Sequence, residues 1–370
     1  MAWPVLLMAR ELDLGGSERQ MTEIAKTLDR SRFEPHVGCL RPEGLRGREL
    51  QAAGVPIAHF PVHSYASPAA LSGAWQLVRY IQRHNIRLVH TYDYPLTVFA
   101  VPIGRLFTSA IVVSSTRAHR ELIPRNYHKL VRITDRLAHA IVVNCEFLKR
   151  HLVEDENVPP GRIELCYNGI DLEQFRRLDI PGVKAFPPDA IVIGVVCALR
   201  PEKGLPTLLR AFAQIRNLGP RVKLAIVGGG PMRDPLEAEA RSLGIWDDCV
   251  FAPATKAVAE WLSAIDIFVL PSLSEALSNS LMEAMACGCC SVASNVGGNP
   301  ELVRPGETGL LFEARDVAGL SQVLRILVED ESLRRRLAAA GQRMVRERFS
   351  VQSSAQRMGE IFARLIEGAG

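Results

Sequence analysis

The 370-residue chain is informative first through what it lacks. No apolar run reaches the ~18–20 residues that a helix needs to cross a bilayer, so membrane spans do not organise it. It has no repeat at a solenoid period and no low-complexity tract. With 48% hydrophobic and 23% charged residues, 28 Gly and 23 Pro, its composition excludes the disordered and fibrous classes. No G-x-G-x-x-G follows the opening strand and no Walker sequence occurs, which leaves dinucleotide and P-loop chemistry without support. The eight cysteines follow no zinc or redox spacing, even where Cys287, Cys289 and Cys290 cluster. They read as buried free thiols in a reducing cytoplasm. The opening MAWPVLLMARELDLGG has no basic leader and no small-residue cleavage site, so a first buried strand is expected there instead of a signal peptide.

What is present is charge and alternation. The net charge of +4 resides in the first half, where residues 1–180 carry 23 Lys/Arg against 19 Asp/Glu. Within it, residues 111–136 hold Arg117, Arg120, Arg125, Lys129, Arg132 and Arg136 against Glu121 and Asp135. Such a segment suits an anionic membrane surface or a phosphorylated substrate, and equally a solvated helix face. Short apolar runs (VLLMA, FEPHVGCL, VPIAHF, RLVHTYD, AIVVSSTR, HAIVVNC) alternate with helical patterns. That is the signature of a parallel sheet with helical crossovers. Pro181, Pro187 and Pro188 mark a linker, and the alternation restarts with AIVIGVVCA, VKLAIVGGG, DDCVFAP, DIFVLPS, CCSVASN and TGLLFEA. The length suits two domains. Two doubly wound α/β domains are expected, with ligand bound in a cleft between them. The last segment, SVQSSAQRMGEIFARLIEG, is amphipathic, with Val351, Ala355, Met358, Ile361, Phe362 and Leu365 on one broad face.

Several strand-end loops carry residues suited to an anionic, hydroxyl-rich ligand. Gly15-Gly16 after the first strand, with Ser17 opening a helix, is either a tight turn or a place where backbone N–H groups meet an anion. Arg200 and Lys203 follow the first strand of the second half, where two cations suit a diphosphate leaving group. IVGGGP (226–231) lies at another strand end, where glycines make room for a base or simply turn the chain. In SEALSNSLMEAMACG, Glu275 lies in a loop and Glu283 in a helix. Ser280 with Glu283 three residues on matches a capping box, and the same two carboxylates suit sugar and ribose hydroxyls. Glu301, after Asn299-Pro300, is a first-turn glutamate favourable to the helix dipole. His119 follows the strand at 110–117 and is either a polar filler or a contact for phosphate or sugar.

Together these motifs resemble glycosyltransferase family 4, the retaining family with the GT-B fold. The resemblance rests on Gly15-Gly16, Asn168-Gly169-Ile170-Asp171, Arg200-Pro-Glu-Lys203-Gly204, Val227-Gly228-Gly229-Gly230-Pro231, Pro271-Ser272 with Glu275-x7-Glu283, and Gly297-Gly298-Asn299-Pro300-Glu301. Their order covers most of the chain. It implies two Rossmann-like domains facing a central cleft: residues 1–180 for the acceptor, a linker at 181–189, residues 190–350 for the nucleotide-sugar, and a C-terminal helix at 351–370 packing back on the first domain. Arg200 and Lys203 would neutralise the donor diphosphate, Glu283 would bind the ribose, Glu275 the transferred sugar, and His119 would sit near the sugar and phosphate. Gly15, Gly16, Gly229, Leu277, Ser278, Asn279 and Glu301 complete the implied donor site. Tyr92, Asp93 and Arg117 are assigned to the acceptor.

No metal and no cofactor is implied, since cations and helix N-termini do the work of a divalent ion. The leaving phosphate itself would take the acceptor's proton, so no general base is required. The implied partners are a UDP- or GDP-sugar and a glycan or lipid-linked acceptor, with no nucleic acid. The implied location is cytoplasmic, with residues 111–136 the candidate contact for the inner face of a membrane. Ala276-Leu277-Ser278 stands where Gly-Leu/Phe-Pro is frequent, TYDYP after His90 where a histidine is frequent, and Asn295 where an Asp is frequent. These departures bear on which sugar is used. The rival readings are an epimerase or phosphorylase of similar fold, the latter with no evident pyridoxal-phosphate lysine, and a non-catalytic sugar-nucleotide binder.

Overall fold

The computed structural model describes every residue except 1, 14, 66, 180–182, 184, 219, 220, 369 and 370. Pro181, one of the linker prolines, therefore lies outside the described residues. The chain divides into two compact units, one formed by Met1–Gly169 with Val351–Gly370 and the other by Ile170–Ser350.

The first unit alternates β1 (Trp3–Glu11), α1 (Gly16–Thr27), β2 (Phe33–Arg41), α2 (Leu45–Ala52), β3 (Ile57–His59), α3 (Pro68–Arg83), β4 (Leu88–Thr91), α4 (Tyr94–Phe107), β5 (Ile111–Thr116), α5 (Arg125–Leu137), β6 (Ala140–Val143), α6 (Glu146–Glu154) and β7 (Ile163–Leu165). The strands form one parallel sheet in the order β3-β2-β1-β4-β5-β6-β7. Val5 to Ala9 of β1 are wholly buried, because the strand is covered on both faces. This is why its sequence is a continuous apolar run and not an alternation. The chain winds outward in one direction from β1 and in the other from β4. The carboxyl ends of these two neighbours are the topological switch point of the sheet, where such folds place ligands.

The second unit contains β8 (Ile191–Val196), α7 (Leu205–Ile215), β9 (Val222–Val227), α8 (Arg233–Ser242), β10 (Cys249–Ala252), α9 (Val258–Ala264), β11 (Ile267–Leu270), α10 (Asn279–Ala286), β12 (Cys290–Ser294), α11 (Asn299–Leu302), β13 (Gly309–Phe312), α12 (Val317–Glu329) and α13 (Glu331–Arg348). Its six strands are parallel in the order β10-β9-β8-β11-β12-β13, with the switch point between β8 and β11. The last helix, α14 (Val351–Glu367), belongs to the first unit. Its Ala355, Met358, Ile361 and Phe362 join the core formed with Met21, Ile24, Leu28 and Phe33. Arg364 adds an ion pair to Glu164 at 2.7 Å.

Residues 170–179 go with the second unit, earlier than a boundary at 180. Backbone contacts explain the shift. The Ile170 N–H donates to the Phe349 carbonyl at 2.8 Å, the Leu178 N–H to Ser263 Oγ at 3.0 Å, and the Cys287 thiol approaches the Arg176 carbonyl at 3.8 Å.

Candidate active site

In the second unit the loops after β8 and β11 meet at the switch point. Lys203 Nζ lies 2.5 Å from Glu275 Oε1, and the Ser272 hydroxyl donates to the same oxygen at 2.7 Å. Both charged side chains are largely enclosed, 19% and 11% exposed. Burial works against the charged form of Lys203, but the Glu275 carboxylate outweighs it and holds the ammonium above its ordinary value. The Leu273 N–H donates to the Glu202 carbonyl at 2.7 Å. Gly204, at φ +62°, packs so closely that a Cβ there would stand 2.1 Å from the Pro271 carbonyl oxygen. A side chain at 204 would prise the two loops apart. Arg200 is different: its side chain is 65% exposed and its carboxylate neighbour, Glu202, is 4.0 Å away.

Two further strand ends brace this pair. After β12, Gly297 sits at φ +57° with its missing Cβ 1.9 Å from the Glu275 carbonyl oxygen, and the Gly298 N–H donates to the Ala276 carbonyl at 2.8 Å. The Ser294 hydroxyl donates to the Ser272 carbonyl at 2.6 Å. After β9, the Gly229 carbonyl accepts from the Leu199 N–H at 2.9 Å. The loop carrying Glu275 is thus held from both sides by backbone.

α10 starts one turn after Glu275. Its N-cap is Ser278, whose hydroxyl accepts from the Leu281 N–H at 3.3 Å. This corrects the expected cap at Ser280. With Ser278 as cap, the third helical position is Leu281, so no capping box forms. Glu283 falls two positions further in, one helical turn after Asn279. Its carboxylate is instead enclosed, with the residue only 6% exposed, on the short helix that begins beside the Lys203–Glu275 pair. Asn279 opens α10, Leu277 is buried just before it, and Glu301 lies partly buried in α11.

In the first unit, the carboxyl ends of β4 and β5 border a cavity of about 230 Å³ lined by Ser17, Tyr92, Asp93, Ser114, Arg117 and Arg120 among others. It brings together all three residues assigned to the acceptor. Their roles in the fold differ. Asp93 caps α4: its carboxylate accepts from the Leu96 N–H at 2.8 Å and the Arg10 N–H at 2.6 Å. Arg117 lies 4.6 Å over the Tyr92 ring. Gly15 is the N-cap of α1. A Cβ there would stand 1.8 Å from Glu18 Oε2, because Glu18 folds back over the helix start. His119 is not in the cavity lining. It is packed beside His151, ring centroids 4.3 Å apart, and Phe147 at 5.7 Å; burial and then His151 lower its pKa.

The cationic segment is smaller than its sequence suggests. Arg120 is 3% exposed and pairs with Asp135 and with Glu156, while Arg132 pairs with Glu156 at 2.7 Å. Glu156 lies beyond the segment in sequence, so counting charges within 111–136 missed it. Among the described residues no group of three or more His, Cys, Asp or Glu is placed to hold a metal ion, and no helix is long and apolar enough to cross a membrane.

Two family models match almost end to end: Glycosyltransferase Family 4 over residues 14–174 and Glycosyl transferases group 1 over residues 177–344. The chain belongs to glycosyltransferase family 4. Among curated proteins, it is 29% identical over 255 residues to a D-inositol 3-phosphate glycosyltransferase of Streptomyces bingchenggensis, covering 65% of this chain and 55% of that protein. It is 33% identical over 246 residues to a second such protein, from Catenulispora acidiphila, covering 62% and 57%. The match spans little more than half the length of these relatives. The fold is also that of Anabaena HepE, solved with UDP and glucose, with a TM-score of 0.85 at 21% identity over 97% of this chain and 99% of that one.

Of the residues singled out for the family's donor site, Arg200, Lys203, Gly229, Glu275, Leu277, Ser278, Asn279, Glu283 and Glu301 lie in the second unit, on the segments that follow the carboxyl ends of β8, β9, β11 and β12. Gly15, Gly16 and His119 belong to the first unit. Sequence reasoning missed Ser272 and Gly297 as supports of Glu275. The signals were there: Ser272 closes Pro271-Ser272, and Gly297 opens Gly-Gly-Asn-Pro-Glu.

Proposed function

We propose that this chain is a retaining glycosyltransferase that moves a sugar from a UDP- or GDP-linked donor to a glycan or lipid-linked glycan acceptor. The observation that carries the reading is the Lys203–Glu275 pair at the β8/β11 switch point, with exposed Arg200 beside it and enclosed Glu283 on the helix that follows. The chemistry follows from the charges. Arg200 and Lys203 neutralise the diphosphate as its bond to the sugar breaks. Glu275, already fixed by Lys203, Ser272 and two backbone braces, accepts hydrogen bonds from the sugar's hydroxyls without reorganising. Glu283 receives the ribose diol. The departing phosphate oxygen takes the proton of the acceptor hydroxyl, which leaves the sugar's anomeric configuration unchanged. HepE's complex with UDP and glucose and the sugar-transferring relatives support this assignment.

The acceptor is assigned to the first unit, at the cavity bordered by Tyr92 and Arg117. Peripheral contact with an anionic membrane is the finer part of the reading. It is supported by exposed Arg125, Lys129 and Arg136 interleaved with Leu122, Leu130 and Ile133, which are 50%, 44% and 52% exposed.

The test is a panel of UDP- and GDP-sugars scored for binding and slow hydrolysis by the full chain. One nucleotide series is expected to bind and turn over, and Glu283→Ala is expected to raise the donor KM. Absence of binding to every donor would overturn the function. Unchanged KM in the variant would overturn the ribose assignment alone.

A further inference from the structure

Arg117 carries a charge that the first unit does not pair. Its guanidinium stacks 4.6 Å over Tyr92, and Nη1 donates to Asn168 Oδ1 at 2.7 Å. Nε is buried and has no acceptor. Among the described residues no carboxylate acts on its charge. The ionisable groups coupled to it are Tyr92, Cys166 and His90, and burial favours the neutral form of all three, raising the pKa of Tyr92 and Cys166 and lowering that of His90. The other charges of the cavity wall are already committed. Arg120 and Arg132 balance Asp135 and Glu156, and both Asp93 carboxylate oxygens are taken by backbone N–H groups. Two neutral hydroxyls on the wall, Tyr92 and Ser114, each 1% exposed, also have no partner.

Holding an unpaired cation partly out of water costs stability. The cost is recovered when an anion enters and accepts from the planar fork, a geometry that suits phosphate oxygens. Resting on the reading that this unit receives the acceptor, we propose that the acceptor carries a phosphate group, seated in the 230 Å³ cavity on Arg117. The Ser114 and Tyr92 hydroxyls stand beside it as further donors. The acceptor class is then a phosphorylated sugar or polyol, or a phosphate-bearing lipid, and not a neutral glycan.

Inorganic phosphate is the first probe, titrated calorimetrically into the full chain with nucleoside diphosphate saturating the donor site. Wild type is expected to bind it, Arg117→Gln roughly tenfold or more weakly, and Arg117→Lys in between, with nucleotide affinity unchanged in both. Tyr92→Phe, which keeps the stacked ring and loses one donor, is expected to weaken phosphate about threefold; it serves as the readout if Arg117→Gln unfolds. A hexose phosphate in solution and a polyprenyl phosphate in detergent micelles are then offered as competitors. Competition that depends on Arg117 supports the proposal and names the source. No phosphate binding by wild type, equal affinity in Arg117→Gln, or competition by neither compound overturns it. Loss of nucleotide binding by wild type is a separate outcome, and it overturns the glycosyl-transfer reading instead.

Discussion

Replacing Glu275 with glutamine removes one charge and almost no volume. The amide can still accept from Ser272, but it leaves the Lys203 ammonium without its counter-ion in a site where the two side chains are 19% and 11% exposed. Losing a hydrogen bond to a charged group costs roughly 1.5–3 kcal/mol, and breaking a buried pair from one side about 3–5 kcal/mol. Residual exposure and the retained acceptor place Glu275→Gln near the overlap, at about 2–3 kcal/mol. For a unit of about 180 residues, that lowers the melting temperature by roughly 4–12 °C. Lys203→Met should cost a similar amount. The double variant should cost less than the two together, with a coupling of at least about 1.5 kcal/mol. Calorimetric unfolding of the four proteins measures it. Ligand binding separates the pair's structural role from its chemical one. Glu275→Gln frees a cation beside the diphosphate, so nucleoside diphosphate affinity should hold or rise while sugar transfer falls. Additivity within about 0.5 kcal/mol, or transfer undiminished in Glu275→Gln, would refute the reasoning.

Three further outcomes are expected. Arg200→Ala, at an exposed position, should weaken nucleoside diphosphate binding roughly tenfold and leave the melting temperature within about 1 °C of wild type; calorimetry and thermal melts check both. Gly297→Ala must place a methyl 1.9 Å from the Glu275 carbonyl at φ +57°. It should cost about 1–3 kcal/mol and reduce turnover through displacement of Glu275, with wild-type turnover as the contrary result. His90 is wholly buried, and burial followed by Arg117 holds its pKa well below the ordinary 6.5; His36, His119 and His139 are also lowered. Their unfolded forms bind protons first, so this stability is complete above about pH 6.5 and is lost as pH falls toward the folded values. Melting temperature should drop between pH 7 and 5, and His90→Gln should flatten that slope; an unchanged slope would exclude His90 as a contributor.

Much of the architecture is legible in the chain because burial on both sheet faces leaves a local mark. Most of the parallel strands, from VLLMA in β1 to LLF in β13, are short apolar runs followed by a turn and a helical period. The amphipathic face of α14 is equally plain from Met358, Ile361 and Phe362. Less legible were the ends of elements. Ser278 and Ser280 are both good caps by composition, and the choice between them depends on where the loop carrying Glu275 leaves the sheet.

The sequence alone therefore determined most of the strands, that the sheets are parallel, and which loops carry cations, glycines and carboxylates; β7, with Glu164 at its centre, carries no such run and was not legible. Those properties follow from local periodicity and turn chemistry. The tertiary structure decided which of those groups meet. Lys203 and Glu275 are 72 residues apart, and nothing in either loop names the other. Arg120 reads as a surface charge until Asp135 and Glu156 are folded against it, whereas Arg117, three residues earlier, finds no carboxylate among the described residues. The physical reason is the same in each case. A charge's state depends on distance and on exclusion of water, and both are properties of packing between segments remote in sequence.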